Sequence, residues 1–342
     1  MRRAKKSGSM SPRVVLTHWV HAEVIDLLRG SCDVVPNPGR ETLPRRELIR
    51  RARDAQAIMV FMPDSVDEAF LRECPHLRIL AGAFKGYDNI DVSACTNRGV
   101  WVTVVRDLLT VPTAEIAVGL VIGLGRNILE GDRLVRRGIF NGWRPVLYGK
   151  GCAGQRAGIV GMGAVGQAIA VRLAALDMRI LYSDPVPVKP VMEKRLRLAR
   201  VDIGQLLQSS DFVVLSVPLS AETHHMIDEE RIAQMKPGAC LINVGRGSVV
   251  DEHAVVRALR SGRLSGYGAD VFEMEDLSRR ERPRKISKGL LSEPTKTVLT
   301  PHLGSAVDEV RLKIELEAAA NILEALAGEV PKGAINRPHI SI

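Results

Sequence analysis

The sequence has few aromatic residues and few cysteines, and both shortages restrict what the chain can do. Phe, Trp and Tyr make up 4% of the 342 residues, which argues against the stacked aromatic platforms that bind single-stranded nucleic acids. The five cysteines are odd in number and include no Cys-x-x-Cys pair, so neither a disulfide framework nor a metal site is indicated. We therefore expect no metal, no nucleic-acid partner and a reducing, cytoplasmic environment.

Long apolar runs are also missing. The longest one, Ala114 to Gly125, contains Glu115 and is shorter than the roughly 20 residues that a membrane-spanning helix needs. The sequence thus predicts no membrane helix. Residues 1–10 are basic and polar, without the apolar segment of a secretory signal, and we expect them to form a disordered tail.

Positive charge is in excess. The formal net charge is +9, but Lys and Arg are dispersed along the sequence rather than gathered in one tract that would bind a polyanion. Two interpretations stay open. The charge attracts small anionic substrates, or it belongs to a solvated surface without a specific role.

The most informative segment is the glycine-rich run GIVGMGAVG, residues 158–166. An apolar stretch precedes it, an amphipathic stretch follows, and Asp184 ends the next apolar stretch, 184 − 166 = 18 residues after the last glycine. This pattern is typical of a strand, turn and helix that hold the diphosphate of a dinucleotide. Asp184 would accept hydrogen bonds from the ribose hydroxyls and repel a 2′-phosphate, so the sequence predicts NAD as the preferred cofactor.

Short β-branched runs alternate with helical stretches along the whole chain, which indicates an α/β fold. The first series of expected strands is Val14–Leu16, Asp33–Val35, Ala57–Phe61, Leu77–Ala81 and Val100–Val105. The second series is Gly158–Gly161, Arg179–Ser183, Phe212–Val217, Cys240–Val244, Gly266–Val271 and Thr297–Thr300. One long helix, residues 112–137, is expected between the two series, and a surface loop is expected at residues 276–294.

The two series predict two domains. Residues 111–306 are expected to form a doubly wound parallel sheet, the Rossmann fold, that binds NAD. Residues 11–110 and 307–342 are expected to form a smaller, discontinuous, flavodoxin-like α/β domain that binds substrate. The last helix, residues 306–326, would bring the chain back to this domain, with Ser305 and Asp308 as its capping box.

Three polar side chains follow expected strands of the second series: Arg246, Glu275 and His302. The carboxyl ends of parallel strands face the ligand crevice, so these side chains are expected to converge there. Arg offers a planar fork to an oxyanion, His moves a proton near neutral pH, and a carboxylate orients the imidazole. Each residue alone could have a structural role, but the three together favour a dehydrogenase that handles an anion.

The segments GMGAVG, RGSVVDE, ADVFEME and TPHLGSA resemble the D-isomer-specific 2-hydroxyacid dehydrogenase family over nearly the whole chain. The resemblance implies that Arg246 binds substrate, that Glu275 tunes the histidine and that His302 transfers the proton. It also implies a nicotinamide contact at Asp270, a cofactor wall that includes Val244 and Pro218, and a homodimer.

A narrower resemblance, to the phosphonate (phosphite) dehydrogenase branch, lies in four other segments: residues 61–64, 84–89, 142–148 and 304–311. It implies oxidation of phosphite to phosphate with NAD. Because phosphite is largely a dianion at neutral pH, it needs more positive charge than one arginine supplies. Lys85 would provide that charge and Arg311 would add to it, while His302 activates the attacking water.

The full set of expected site residues is larger. Arg246, Glu275 and His302 are the expected catalytic residues. The expected substrate contacts are Met62, Lys85, Gly86, Trp143, Tyr148, Arg246 and Arg311. The expected NAD contacts are Lys85, Thr113, Gly161, Gly163, Ala164, Val165, Gly166, Asp184, Pro185, Pro218, Val244, Asp270 and His302.

Two alternatives to phosphite oxidation stay open. Within the same fold, the chain could reduce a 2-oxo acid such as glyoxylate or hydroxypyruvate. In a different class, it could be an NAD(H)-sensing binding protein of the kind that serves as a transcriptional corepressor, because such proteins retain Arg246, Glu275 and His302 without turnover. Lys85, Met62 and the segment from Trp143 to Tyr148 favour phosphite.

Overall fold

The structure is a computed structural model that describes residues 11–338, so the tail expected at residues 1–10 lies outside the described residues. The chain folds into two compact units. The first is discontinuous and consists of residues up to Leu109 together with those from Val307 onward. The second is the continuous segment Thr110–Ala306.

Within the described residues, the first unit is built on a five-stranded parallel sheet with the strand order β2-β1-β3-β4-β5. Its strands are β1 (Arg13–Leu16), β2 (Asp33–Val35), β3 (Ala57–Val60), β4 (Ile79–Gly82) and β5 (Trp101–Thr103). Its helices are α1 (Ala22–Arg29), α2 (Arg45–Ala52), α3 (Glu68–Glu73), α4 (Val92–Asn97) and the last helix of the chain, α13 (Asp308–Leu326).

Both faces of this sheet are covered by helices, which explains why its strands are apolar at successive positions. Val14 and Leu16 of β1 point to the side covered by α1 and α13, whereas Val15 between them packs on the side covered by α2 and α3. The end of the chain returns to the same sheet, because Ile335 donates its N–H to the carbonyl of Val102 at 2.9 Å.

The second unit is built, in the described part of the chain, on a seven-stranded parallel sheet with the order β12-β11-β10-β9-β6-β7-β8. Its strands are β6 (Arg156–Val160), β7 (Arg179–Ser183), β8 (Ala199–Arg200), β9 (Phe212–Leu215), β10 (Ala239–Asn243), β11 (Leu264–Ala269) and β12 (Thr297–Leu299). Its α-helices are α5 (Thr110–Gly125), α6 (Ile128–Arg136), α7 (Ala164–Ala174), α8 (Pro190–Leu196), α9 (Ile203–Ser209), α10 (Glu229–Gln234), α11 (Glu252–Ser261) and α12 (Lys288–Leu291).

Strand order reverses between β6 and β9. The chain runs outward from β6 through β7 to β8, then crosses back and runs outward again from β9 to β12. This is the doubly wound order, in which a dinucleotide binds outside the carboxyl ends of the strands at the reversal point. The fold class predicted from the sequence is confirmed.

The long helix expected at residues 112–137 is wrong, because the structure has two helices there, α5 and α6, that meet at 64°. The chain turns at Asn127, whose φ of 51° lies in the left-handed region that Asn tolerates better than most residues. Gly125 permits the approach of a neighbouring segment, since a Cβ there would lie 2.9 Å from the carbonyl oxygen of Lys150.

No individual helix among residues 11–338 combines the length and the apolar character needed to cross a bilayer; the bent pair of α5 and α6 meets that test only when both helices are taken together. Much of α5 is buried within the second unit, where its alanines and leucines pack on the sheet.

Two further expectations from the sequence need correction, and one strand was not foreseen. The capping box is wrong: α13 begins at Asp308 after Val307, and Ser305 lies earlier, in a turn closed by a bond from Ala306 N–H to the carbonyl of Leu303. The two-residue strand β8 was not expected. The loop expected at residues 276–294 contains the short helix α12.

Candidate active site

The glycine-rich turn between β6 and α7 has the shape that a dinucleotide diphosphate requires. Gly161 has a φ of +89°, and a Cβ there would lie 2.7 Å from Val217. A Cβ on Gly166 would lie 2.1 Å from the carbonyl oxygen of Gly161, so only glycine allows the helix to pack this closely. Gly163 differs, because within the described residues a Cβ there would meet no atom within 4 Å.

The open space at Gly163 lies at the start of α7. Gly163 is the N-cap, no side chain of the described residues caps this end, and Gly163 and Ala164 are exposed, with Val165 partly so. The N–H groups of the first helical turn and the positive end of the helix dipole are therefore available to an anion. The turn fits the diphosphate of NAD.

Asp184 follows β7 and is attached to the glycine turn. One carboxylate oxygen accepts the N–H of Met162 at 2.6 Å, and the other accepts the N–H of Val186 at 2.8 Å. The carboxylate is thus held beside the turn, as a ribose-binding residue would be. Pro185 is exposed next to it. The ribose contact itself stays a prediction.

His302 and Glu275 form a hydrogen-bonded pair. His302 Nδ1 lies 2.7 Å from one oxygen of Glu275, and the other oxygen accepts the N–H of Phe272 at 2.8 Å. Because a carboxylate only accepts, Nδ1 carries the hydrogen, and Nε2 is left as the atom that can exchange a proton with a ligand. Glu275 lies in a 3₁₀ turn, Glu273–Glu275, a few residues after β11.

The backbone of His302 is strained. Its φ is 57°, in the left-handed region that non-glycine residues avoid at a cost of order 1 kcal/mol. Its N–H donates to the carbonyl of Asp270 at 2.9 Å. A strained residue that is held by surrounding bonds is common at functional sites, and this observation agrees with the catalytic role that we predicted for His302.

Asp270 fixes the turn that carries the histidine. Its carboxylate accepts three hydrogen bonds, from Thr300 Oγ1 at 2.5 Å, Leu303 N–H at 2.7 Å and Gly304 N–H at 2.8 Å. Burial raises the pKa of Asp270, and these bonds act against that rise. The sequence suggested only a nicotinamide contact for Asp270 and gave no sign of this structural role.

Thr113, expected to contact the cofactor, lies against the same turn: its hydroxyl donates to the carbonyl of Gly304 at 3.4 Å. Val244, buried after β10, donates its N–H to the carbonyl of Leu215 at 3.1 Å. Pro218 follows β9 and is exposed. Val244 and Pro218 follow strands close to the reversal point of the sheet, where the cofactor is expected, whereas Thr113 lies in the first turn of α5.

Arg246 follows β10 and precedes a 3₁₀ turn, Gly247–Val249. Asn243 shapes this segment, since its side chain donates to the carbonyl of Arg246 at 2.8 Å and accepts the N–H of Gly245 at 3.0 Å. One guanidinium nitrogen of Arg246 donates to the carbonyl of Gly245 at 3.0 Å.

The segment after Arg246 packs directly on the segment that carries Glu275. A Cβ on Gly247 would lie 1.8 Å from the carbonyl carbon of Phe272. The N–H of Ser248 donates to the carboxylate of Asp276 at 2.6 Å. The structure therefore brings the backbone segments of Arg246, Glu275 and His302 to one edge of the sheet. Asp276 was missed from the sequence, because its partner lies 28 residues away.

The expected substrate residues Met62, Lys85, Gly86 and Arg311 belong to the first unit. Met62 follows β3 and Lys85 follows β4, and both are partly buried, as is Gly86. Arg311 donates to the carbonyl of Ala83 at 3.1 Å, so it lies near the segment that carries Lys85.

Arg311 is paired within its own unit. Its guanidinium lies 3.5 Å from Glu315, one turn later on α13, and 5.4 Å from the ring centre of Phe61. Burial lowers the pKa of Arg311, and the neighbouring Glu315 opposes that change. The positive charge that we expected Arg311 to offer to a dianion is thus partly balanced by Glu315.

Trp143 and Tyr148 lie between α6 and β6, in a segment without regular structure. Their side chains are 81% and 77% exposed. Neither side chain is therefore packed in the core of the second unit. Their expected substrate contacts stay predictions.

The glycine turn, the helix end, the Asp184 carboxylate and the His–Glu pair are together typical of a dinucleotide-dependent oxidoreductase. Residues 118–304 match the family described as "D-isomer specific 2-hydroxyacid dehydrogenase, NAD binding domain". The chain is 38% identical to a glyoxylate reductase of Thermococcus onnurineus over 338 residues, which cover 97% of this chain and 98% of the relative. The chain belongs to the D-isomer specific 2-hydroxyacid dehydrogenase family.

Solved structures agree with this assignment. The TT0316 protein from Thermus thermophilus matches with a TM-score of 0.84 and 33% identity, over 95% of this chain and all of that protein. An NADPH-dependent glyoxylate/hydroxypyruvate reductase from Sinorhizobium meliloti, solved with NADP and malonate, matches with a TM-score of 0.82 and 27% identity, over 97% and 100% of the two chains. The protein is an NAD-dependent oxidoreductase of this family.

The comparisons do not support the narrower resemblance to phosphonate dehydrogenases. Other relatives with 35 to 37% identity also carry the name glyoxylate reductase. The first alternative that the sequence left open, reduction of a 2-oxo acid, therefore fits the relatives better than phosphite oxidation does.

Proposed function

We propose that this protein is an NAD-dependent reductase of small 2-oxo acids, with glyoxylate as the first substrate to test. The observation that carries the proposal is the Glu275–His302 pair at 2.7 Å, held at the strand ends next to the segment of Arg246. An imidazole supported by a carboxylate can donate a proton to a carbonyl oxygen, which is what reduction of a 2-oxo acid requires.

Each residue has a defined task in this proposal. Arg246 binds the substrate carboxylate with its planar guanidinium. The glycine turn and Asp184 would hold NADH, which would supply the hydride for the carbonyl carbon. His302 gives its proton from Nε2 to the carbonyl oxygen, and Glu275 stabilises the imidazolium and fixes the ring. The product is the 2-hydroxy acid.

The pairing of Arg311 favours a monoanionic substrate. Phosphite would need further cations beside Arg246, and Arg311, one of the two that we expected, is ion-paired with Glu315 and hydrogen-bonded to Ala83. A 2-oxo acid such as glyoxylate carries one carboxylate, for which one arginine suffices. The names of the relatives point the same way.

The test is a substrate panel with purified protein. NADH oxidation is followed at 340 nm with glyoxylate, hydroxypyruvate and pyruvate, and NAD reduction is followed with phosphite and with 2-hydroxy acids. We expect turnover with glyoxylate or hydroxypyruvate and a large loss of activity in His302→Gln. Phosphite-dependent NADH formation without 2-oxo acid reduction would refute the proposal, and binding of NADH without any turnover would favour the NAD-sensing alternative.

We also propose that the active protein is a homodimer. Large apolar side chains are exposed along one continuous stretch of the second unit, a pattern that marks interaction surfaces. Light scattering of the purified protein at micromolar concentration is expected to give twice the mass of the chain, and a monomer would refute this proposal. The exposed residues are Ile128, Val135, Ile139, Phe140, Trp143, Val146, Leu147 and Tyr148.

A further inference from the structure

The strand β8 is the edge strand of the seven-stranded sheet and has only two residues, Ala199 and Arg200. It pairs with β7, where Tyr182 lies opposite Arg200. The next bond, from Val201 N–H to the carbonyl of Tyr182 at 3.0 Å, continues the pairing. This short strand therefore places Arg200 beside Tyr182, which lies two residues before Asp184 in the sequence.

The guanidinium of Arg200 is bonded to the backbone that carries Asp184. Nη2 donates to the carbonyl of Asp184 at 2.9 Å and to that of Pro185 at 2.8 Å, and Nε approaches the first of these carbonyls at 3.2 Å. Both carbonyls belong to the loop between β7 and α8. Arg200 thus holds this loop in place through two of its backbone carbonyls.

The carboxylate of Asp184 also fixes this loop. It accepts Val186 N–H at 2.8 Å, which closes a short turn through Pro185, and it accepts Met162 N–H at 2.6 Å. The far end of the loop is held by Tyr182, whose hydroxyl accepts Val188 N–H at 3.3 Å and donates to Glu193. Burial and the bond to Glu193 raise the pKa of Tyr182.

We infer that Arg200 is a positioning residue for cofactor selectivity. By holding the carbonyls of Asp184 and Pro185, it keeps the Asp184 carboxylate where the ribose hydroxyls of NAD can donate to it. The same bonds engage Nη2 and Nε, so these donors of Arg200 are directed to backbone oxygens instead of a 2′-phosphate. The inference rests on the ribose contact of Asp184 and is independent of the substrate.

The test is a direct titration of NADH and NADPH by calorimetry with the full chain. In Arg200→Met we expect the Kd for NADH to rise about fivefold, because exposed hydrogen bonds from a charged donor contribute modestly. The Kd for NADPH should change less than about twofold, so the preference for NADH falls. Arg200→Lys, which keeps the charge but not the forked geometry, should lie between the parent and Arg200→Met.

Two further variants separate positioning from general damage. Arg179→Met removes an exposed arginine at the opposite end of β7 and should leave both constants unchanged. The second variant is the double substitution Asp184→Asn with Arg200→Met. If Arg200 acts through Asp184, the two effects are not additive, and the Kd for NADH should rise less than about twofold above that of Asp184→Asn alone.

Three results would overturn the inference. The first is an unchanged NADH to NADPH ratio in Arg200→Met. The second is a loss of NADPH affinity larger than that of NADH, which would make Arg200 a cation that binds the 2′-phosphate. The third is a full additional loss in the Asp184→Asn background. Because the titration needs no substrate, a wrong assignment of glyoxylate would leave all three readings intact.

Discussion

Replacing Glu275 with glutamine removes the charge behind the proposed proton donor while it keeps the shape of the side chain. An amide oxygen can still accept the N–H of Phe272, which the carboxylate does at 2.8 Å. The negative charge 2.7 Å from His302 Nδ1 is lost. The variant therefore tests the electrostatic support of the imidazolium and leaves the local backbone in place.

The expected size of the effect follows from the geometry. Two unit charges 4 Å apart attract by about 1 kcal/mol in bulk water and by about 4 kcal/mol near a protein surface. The side chains of His302 and Glu275 are 30% and 28% exposed, which places the pair between these limits. A loss of roughly 2–3 kcal/mol in the transition state corresponds to about a 100-fold lower kcat/KM.

The assay is steady-state reduction of glyoxylate with NADH by the parent, Glu275→Gln and Glu281→Gln. Glu281 is exposed in the loop that follows and provides the matched control, for which we expect unchanged kinetics. Most of the loss in Glu275→Gln should appear in kcat, because substrate binding is assigned to Arg246. If folded Glu275→Gln kept more than about a third of the parental kcat/KM, the role given to Glu275 would be wrong.

Three further predictions concern binding, proton linkage and positioning. Gly163→Ala should weaken NADH binding about tenfold in a titration and leave the Tm nearly parental, because the added Cβ enters open space. Gly166→Ala should instead lower the Tm, because its Cβ would lie 2.1 Å from a backbone oxygen. For His21, burial alone would lower the pKa, but the hydrogen bonds and charges of Glu315 and Asp308 together outweigh it and raise the pKa above 6.5. The stabilisation is therefore complete below about pH 6.5 and lost as the pH rises through the raised value, so His21→Gln should cost stability in urea unfolding near pH 5.5 and little near pH 9. Asp270→Asn should lower kcat at least tenfold, because an amide nitrogen cannot accept the N–H bonds that hold the histidine turn, and near-parental turnover would contradict this positioning role.

Much of the fold could be predicted from the sequence because both sheets are parallel and covered on both faces. Such strands are continuous apolar runs, and the strands expected at Asp33–Val35 and Arg179–Ser183 have the same bounds in the structure. The strand β8 could not be predicted in this way, since it has two residues and both are exposed. The bend between α5 and α6 was missed because an Asn in the left-handed region leaves little trace in an apolar periodic sequence.

The proximity of Glu275 and His302 was predictable from one rule, that the ends of parallel strands meet at one edge. The bonds that hold this pair in place were not. Asp270 reaches residues more than 30 positions later, and Arg200 holds carbonyls 15 and 16 positions earlier. A sequence motif identifies the residues that contact a ligand. Residues such as Asp270 and Arg200, which hold those residues in place, bond to distant backbone groups, so the fold is needed to find them.

The split arrangement of the first unit has a consequence for how the protein is made. Residues 110–306 are contiguous and can become structured as soon as the ribosome releases them. The sheet of the first unit, although synthesised earlier, buries Ile314, Ala318 and Ile322 of α13 against it. The part of its apolar face that α13 covers thus stays exposed until almost the end of translation, although α1 already covers another part. A message truncated before codon 308 would yield a nascent chain prone to chaperone capture and aggregation.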